Sequence, residues 1–173
     1  MQTIDAIKGR TSVRDYSSNP IPDDTLKGIL ESAIQAPSSG NVQDWEFVLV
    51  KTPEGKSALS EAAFNQGFIA KAPVVVVVCT DLDRISKAYG TRGEQLYSIQ
   101  NTAAAIQNMM LAAWDRGIGS CWIGAFNEEA ARGAVVLPVR VRPVAIITLG
   151  YPARKPMKSK RRPLDNAVHW ETF

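Results

Sequence analysis

Five consecutive valines at 74–78 follow Pro73 without one polar interruption. A β-branched run with no polar side to turn toward water reads as a strand covered on both faces, which belongs at the centre of a sheet. Further strands must flank it, and other elements must cover it above and below.

The remaining apolar patterns supply those partners. WEFVLV at 45–50 is a strand bounded by Thr52 and Pro53, and the segments 120–123 and 144–149 are two more strand candidates. Helical spacing recurs between them. Residues 3–8 make a short helix capped by Thr3, interrupted by Gly9 and a polar run to Pro22. From Asp23, apolar Leu26, Ile29, Leu30, Ala33 and Ile34 form one face of a helix with acids in its first turn, ending at Ala36 before Pro37. Helices are also expected over 56–64 and over 127–135, the latter capped by Asn127. The longest pattern is 98–116, with Ile99, Ala103, Ile106, Met110, Ala113 and Trp114 on one side, small Ala103, Ala104 and Ala105 for close packing, and Gly117 as its stop.

The chain of 173 residues, 45% hydrophobic and 21% charged, has ordinary globular composition and suits a single domain over 1–150. Residues 151–173, YPARKPMKSKRRPLDNAVHWETF, hold too few apolar groups for a core of their own. This extension must lie on something or remain loose. A net charge of +3 is too small for a general nucleic-acid binder unless the excess is concentrated, and it is concentrated here, at Lys158, Lys160, Arg161 and Arg162. Such a run fits a solvated patch, a polyanion contact or one buried anion. Cys79 and Cys121, far apart and in apolar surroundings, fit a reducing cytoplasm. The longest apolar run, 72–79, is far short of the ~20 residues a membrane-crossing helix needs, and the first ten residues have no signal-peptide core, so a soluble protein is expected.

Three segments could carry chemistry. Arg10, Thr11, Ser12, Val13 and Arg14 place two guanidinium groups and two hydroxyls in a loop, the donor set a phosphate wants, with Val13 placed to anchor it inward; a solvated basic turn fits the same residues. Pro37, Ser38, Ser39, Gly40 and Asn41, followed by Gln43 and Trp45, form either an ordinary loop or a polar rim around a flat ligand. The glycine-flanked turn at 117–124 follows a helix, whereas a dinucleotide-binding glycine loop follows a strand, and its glycines do not follow GxGxxG. Cys121 within it reads as a thiol nucleophile or as a small buried hydrophobe. His169, the single histidine, lies near a terminus and makes a Ser/His/Asp system untenable. Asp81 and Asp83 read as metal ligands or, more simply, as turn formers.

Taken in order, RTSVR (10–14), APSSGNVQDWEF (36–47), AAFNQGFIAKAPVVVVV (62–78), GIGSCWIG (117–124), GYP (150–152) and KRRPLDNAVHWE (160–171) resemble the nitroreductase family of flavin enzymes. The resemblance implies an α+β, three-layer α/β/α sandwich with a mixed, mostly antiparallel sheet, built as an intertwined homodimer in which 151–173 crosses onto the partner. It implies FMN as cofactor, NADH or NADPH as electron donor, a small-molecule acceptor, and no nucleic-acid or membrane partner. Arg10, Thr11, Ser12, Arg14 and Arg161, with Arg162 and Lys160 as alternatives, would hold the phosphate. Pro37, Ser38, Ser39 and Asn41 would reach the flavin from the other subunit. Asn65 or Gln66 would meet the ribityl chain or pyrimidine edge, and Trp122, Ile123 and Gly124 would back the ring.

The implied activity is reduction of nitroaromatics, quinones or similar flat electrophiles by ping-pong hydride transfer, with no catalytic side chain, since the flavin carries the hydride. Flavin cleavage, reductive dehalogenation and non-catalytic flavin binding are the alternatives on the same fold. Asp44 departs from the pattern, standing where many members have proline, and the chain is short, so the substrate-covering insertions of larger members are reduced.

Overall fold

The valine run lies in β2 (Val74–Asp81), second in a four-stranded sheet of order β1-β2-β4-β3. β1 is Trp45–Val50, β3 Gly119–Ile123 and β4 Val141–Gly150. The computed structural model describes residues 2–173. All three ladders are antiparallel, with Val78 opposite Phe47 in one and Val76 opposite Ile147 in the next. Among the described residues, parallel pairing is limited to the isolated bridge Ser12–Ser120. A bulge at Val78/Cys79 skips Val144, next to Pro143, which has no N–H to give the ladder.

Alternation along β2 divides the interior in two. Val74, Val76 and Val78 pack with Ala145, Ile147 and Leu149 of β4 beneath α2 (Asp23–Ala33) and α6 (Ser98–Asp115). Val75, Val77 and Cys79 face the other way, onto Leu59, Ile69, Cys121, Ile123 and Ala131. That second layer comprises α3 (Pro53–Ala62), α4 (Phe68–Lys71) and α7 (Glu128–Ala134). Each valine is removed from water, contributing about 1.5–3 kcal/mol. Helices therefore cover both faces, as a two-sided apolar strand requires.

Several element ends differ from the sequence expectations for identifiable reasons. α1 (Thr3–Gly9) is preceded by Gln2 as N-cap, without a side-chain cap, so Thr3 is the first helical residue. α2 ends at Ala33, and 34–36 finish as a tighter turn, because Pro37 disfavours helical backbone at the residue before it. α3 begins earlier, at Pro53, where Thr52 accepts from Gly55 N–H, and stops at Ala62 because Phe64 and Asn65 take left-handed backbone. Asn127 caps α7 as expected, accepting from Ala130 N–H at 2.8 Å. In α6 the buried face carries Asn101, Thr102, Ala105, Ile106, Met109, Met110 and Ala113, while Ile99 is exposed. The apolar stripe is rotated from expectation because three polar side chains, Ser98, Asn101 and Thr102, are buried where Ile99 and Ala103 are not.

Residues 82–97, given no element from sequence, form α5 (Leu82–Arg92) and a wide turn over Gly93–Tyr97 that feeds α6. Asp81 is the α5 cap, accepting from Arg84 N–H, and Asp83 pairs with Arg140. Among the described residues no group of acidic, Cys and His side chains could hold a metal, and no helix is long and apolar enough to cross a membrane.

After β4 the chain turns back along residues 11–17. Ser17 N–H donates to Tyr151 O, Ala153 N–H to Asp15 O, and Thr11 Oγ1 to Met157 O. Beyond Met157 the extension is exposed, with Leu164, Trp170 and Phe173 open to solvent.

Candidate functional site

The loop 10–14 is held by its one buried apolar residue. Val13 is buried, its N–H donates to Ser120 O at 2.9 Å, and it packs on Gly119, where any side chain would collide with it. Tyr16 completes the clamp. Its hydroxyl donates to Val13 O at 2.5 Å and pairs with Thr148 Oγ1 at 2.7 Å. Burial pushes the Tyr16 hydroxyl far above its ordinary value, so it keeps the proton it donates.

With Val13 turned inward, the alternate residues Ser12 and Arg14 turn outward on the α4 side of β3. There they meet Cys121. Burial pushes the Cys121 thiol up, opposed by the charge and hydrogen bond of Arg14, the charge of Arg10 and the hydrogen bond of Ser12. Ser12 and Arg14 thus stand close to Cys121, and the Arg10 charge is near enough to be felt there. Arg14 also stands over the Phe68 ring of α4, 5.8 Å from its centroid. Cys121 itself is buried, which favours its reading as a small hydrophobe.

A cleft of about 510 Å³ opens beside this cluster, lined by Ser12, Val13, Arg14 and Asp15 on one wall and Arg154, Lys155, Pro156 and Met157 on the other. Arg154 is paired with Asp15 at 3.1 Å. Among the described residues Arg14 and Lys155 have no acidic partner, so the cleft collects uncompensated positive charge. Guanidinium, ammonium and hydroxyl donors around one opening fit a phosphate dianion. Thr11 faces away, buried and donating to Met157 O. Arg161 and Arg162 do not line the cleft; Arg161 reaches only Ser159 O, while Lys160 and Arg162 are exposed. Nothing local in ARKP marks Arg154 and Lys155, which reach the cleft only because 151–157 fold back along 11–17.

The second segment is separate. Gly40, Asn41 and Gln43 have left-handed φ of 56°, 56° and 53°, and a side chain at Gly40 would run into the Tyr89 hydroxyl of α5. Ser38 Oγ accepts from Gln43 N–H at 3.0 Å, and Asn101 Oδ1 accepts from Ser39 N–H at 2.9 Å. None of Pro37, Ser38, Ser39 or Asn41 lines the cleft of its own chain.

The turn 63–66 lies on the α4 side of the sheet. Gln66 Nε2 donates to Ala63 O and Ala125 O, tying this turn to the one after β3, whereas Asn65 is exposed in left-handed backbone. Ile123 is buried in the core, Trp122 points outward at 40% exposure, and the space beside Gly124 is open. One chain thus brings Arg10, Ser12 and Arg14 together, and leaves 37–41 on another part of its surface.

A model of the nitroreductase family matches residues 7–67 and 60–151. An NADH dehydrogenase of Thermus thermophilus is 35% identical, with 93% of this chain and 92% of that protein covered. An FMN reductase (NADPH) of Bacillus subtilis is 30% identical over 99% of this chain and 74% of its own length. Among solved structures, the NADPH:FMN oxidoreductase of Vibrio harveyi, complexed with NAD+, superposes with a TM-score of 0.91 at 25% identity, covering 99% of this chain and 77% of that one.

Proposed function

Because the chain belongs to the nitroreductase family, we propose that it is an FMN-dependent NAD(P)H oxidoreductase that reduces nitroaromatics, quinones or similar flat electrophiles, donor and acceptor using one site in turn. The observation that carries the reading is the cleft that sets Ser12 and Arg14 on one wall against Lys155 on the other, with the Arg10 charge nearby. A phosphate ester suits that set. The FMN reductase and FMN oxidoreductase among the similar proteins support the same cofactor.

In this reading Arg10, Ser12 and Arg14 hold the FMN phosphate, Thr11 holds the start of the extension against the loop, and Lys155 adds a further cation. Arg161, with Arg162 and Lys160 beside it, remains a further phosphate contact. Asn65 meets the ribityl chain or pyrimidine edge, while Gln66 spends its amide on fixing the turn. Outward Trp122, the Ile123 backbone and open Gly124 back the ring. When bound, FMN supplies the hydride chemistry. The chain's own residues need only bind, orient and neutralise charge.

We further propose a homodimer in which Pro37, Ser38, Ser39 and Asn41 complete the partner's site and the exposed extension crosses over. The separation of 37–41 from the cleft and the exposure of Leu164, Trp170 and Phe173 support this. The free, buried Cys79 and Cys121 suit a cytoplasmic protein. Steady-state kinetics test the shared site. Parallel double-reciprocal lines are expected, with competition between NAD(P)H and a flat acceptor analogue that has no reducible group; intersecting lines and simultaneous binding would mean two pockets.

A further inference from the structure

Asp44 is fully buried at the head of β1 and, among the described residues, has no cationic partner. Its carboxylate accepts from Asn101 Nδ2 and from Thr80 Oγ1, each at 2.6 Å, and its carbonyl accepts from Asp81 N–H at 2.7 Å. Enclosing a carboxylate with only neutral donors is costly, so the arrangement calls for a reason beyond packing.

The reason lies in the polarity of the Asn101 amide. Its Oδ1 accepts from Ser39 N–H at 2.9 Å and from Ser39 Oγ at 3.2 Å. A backbone N–H can only donate, so that end of the amide must be oxygen and the other end must be nitrogen. Residue 44 therefore has to accept from Asn101, and here it accepts again from Thr80. A carboxylate does both without reversing either donor. With another group there, the amide could turn over and set Nδ2 against Ser39 N–H. The loop needs this anchor because Gly40, Asn41 and Gln43 are all left-handed and have no ladder to hold them.

We propose that Asp44 is a positioning residue: through the Asn101 amide it fixes the direction of the Ser39 N–H and hydroxyl in the loop 37–43, and so sets FMN affinity without touching the cofactor. This rests on the reading that the loop reaches FMN. The polarity argument gives a reciprocal test. Asn101→Asp sets two carboxylates against each other. The double variant Asp44→Asn/Asn101→Asp reverses the pair: the new amide donates to the new carboxylate, which accepts both Ser39 hydrogens, while the amide oxygen accepts from Thr80. Its charge and atom count equal those of the wild type.

The measurements are FMN titration by flavin fluorescence and, on the FMN-free protein, Ser39 amide exchange by NMR, each at about pH 6 and about pH 9, because two facing carboxyls share a proton at the lower pH and repel once it is lost. At the higher pH Asn101→Asp should weaken FMN binding about tenfold or more and speed Ser39 exchange, and the double variant should return affinity to within about threefold of the wild type. A merely structural role would lower the melting temperature without following this pattern of loss and rescue. Wild-type affinity in Asn101→Asp at the higher pH, or a double variant that melts like the wild type yet stays about tenfold weak, would overturn the proposal. A wild-type protein that takes up no FMN would overturn the proposed function instead, and the Ser39 exchange series would still decide whether Asp44 orients the loop.

Discussion

Val13 and Gly119 are fitted to each other: a Cβ on Gly119 would stand 2.6 Å from Val13 Cγ2 and 2.8 Å from Val13 Cβ. The contact sets the height of the loop 10–14 above β3. Gly119→Ala must therefore push Val13 out, at an overpacking cost of about 1–3 kcal/mol, and tilt Ser12 and Arg14 away from Cys121. A lower denaturation midpoint and weaker FMN binding are expected together. Full FMN affinity in a destabilised variant would separate the loop from the cofactor.

The charge in the cleft should act on the phosphate and not on the ring. Arg14→Ala is expected to weaken FMN binding about tenfold to a hundredfold, since a hydrogen bond to a charged group contributes about 1.5–3 kcal/mol. Riboflavin, which lacks the phosphate, should lose far less. Lys155→Ala and Arg161→Ala, compared in the same titration, distinguish the tail cation lining the cleft from the one expected of the longer basic run. Equal losses for FMN and riboflavin would remove the phosphate site.

Removing 159–173 leaves the cleft wall at 154–157 in place and takes away the exposed Leu164, Trp170 and Phe173. Loss of the dimer in solution mass, with loss of bound flavin, is the expected result. A truncated protein that remains dimeric and loaded would make the extension a solvated appendage.

Much of this was legible in residues whose surroundings are local. The valine run required two covering layers and received them, and the isolation of Val13 among polar neighbours marked it as the anchor. What escaped was decided at a distance. The α6 face could not be read because the burial of Asn101 depends on Asp44 and the loop 37–43, far away in sequence. α5 has Ile85 as its single buried side chain, too little for a periodic pattern. Lys155 gained its place only when 151–157 folded back along 11–17.

Alkaline stability has a defined sign. Burial, reinforced by Glu46, pushes the Cys79 thiol up from its ordinary 9.0 to about 12. A raised folded value means a contribution fully present below pH 9.0 and lost as pH climbs toward about 12. The wild-type denaturation midpoint should fall across that window, and Cys79→Ala should fall less steeply, by up to about 1.4 kcal/mol per pH unit. Parallel curves for the two proteins would show that this thiol is not the titrating group.

The central claim, an FMN enzyme driven by NAD(P)H, is tested most directly by an anaerobic titration of the purified protein. The account predicts yellow protein that releases FMN and not FAD on denaturation, is bleached by NADH or NADPH, and regains its colour when a nitroaromatic or quinone is added. A colourless protein that FMN cannot reconstitute, or a yellow one that neither nicotinamide bleaches, would contradict it.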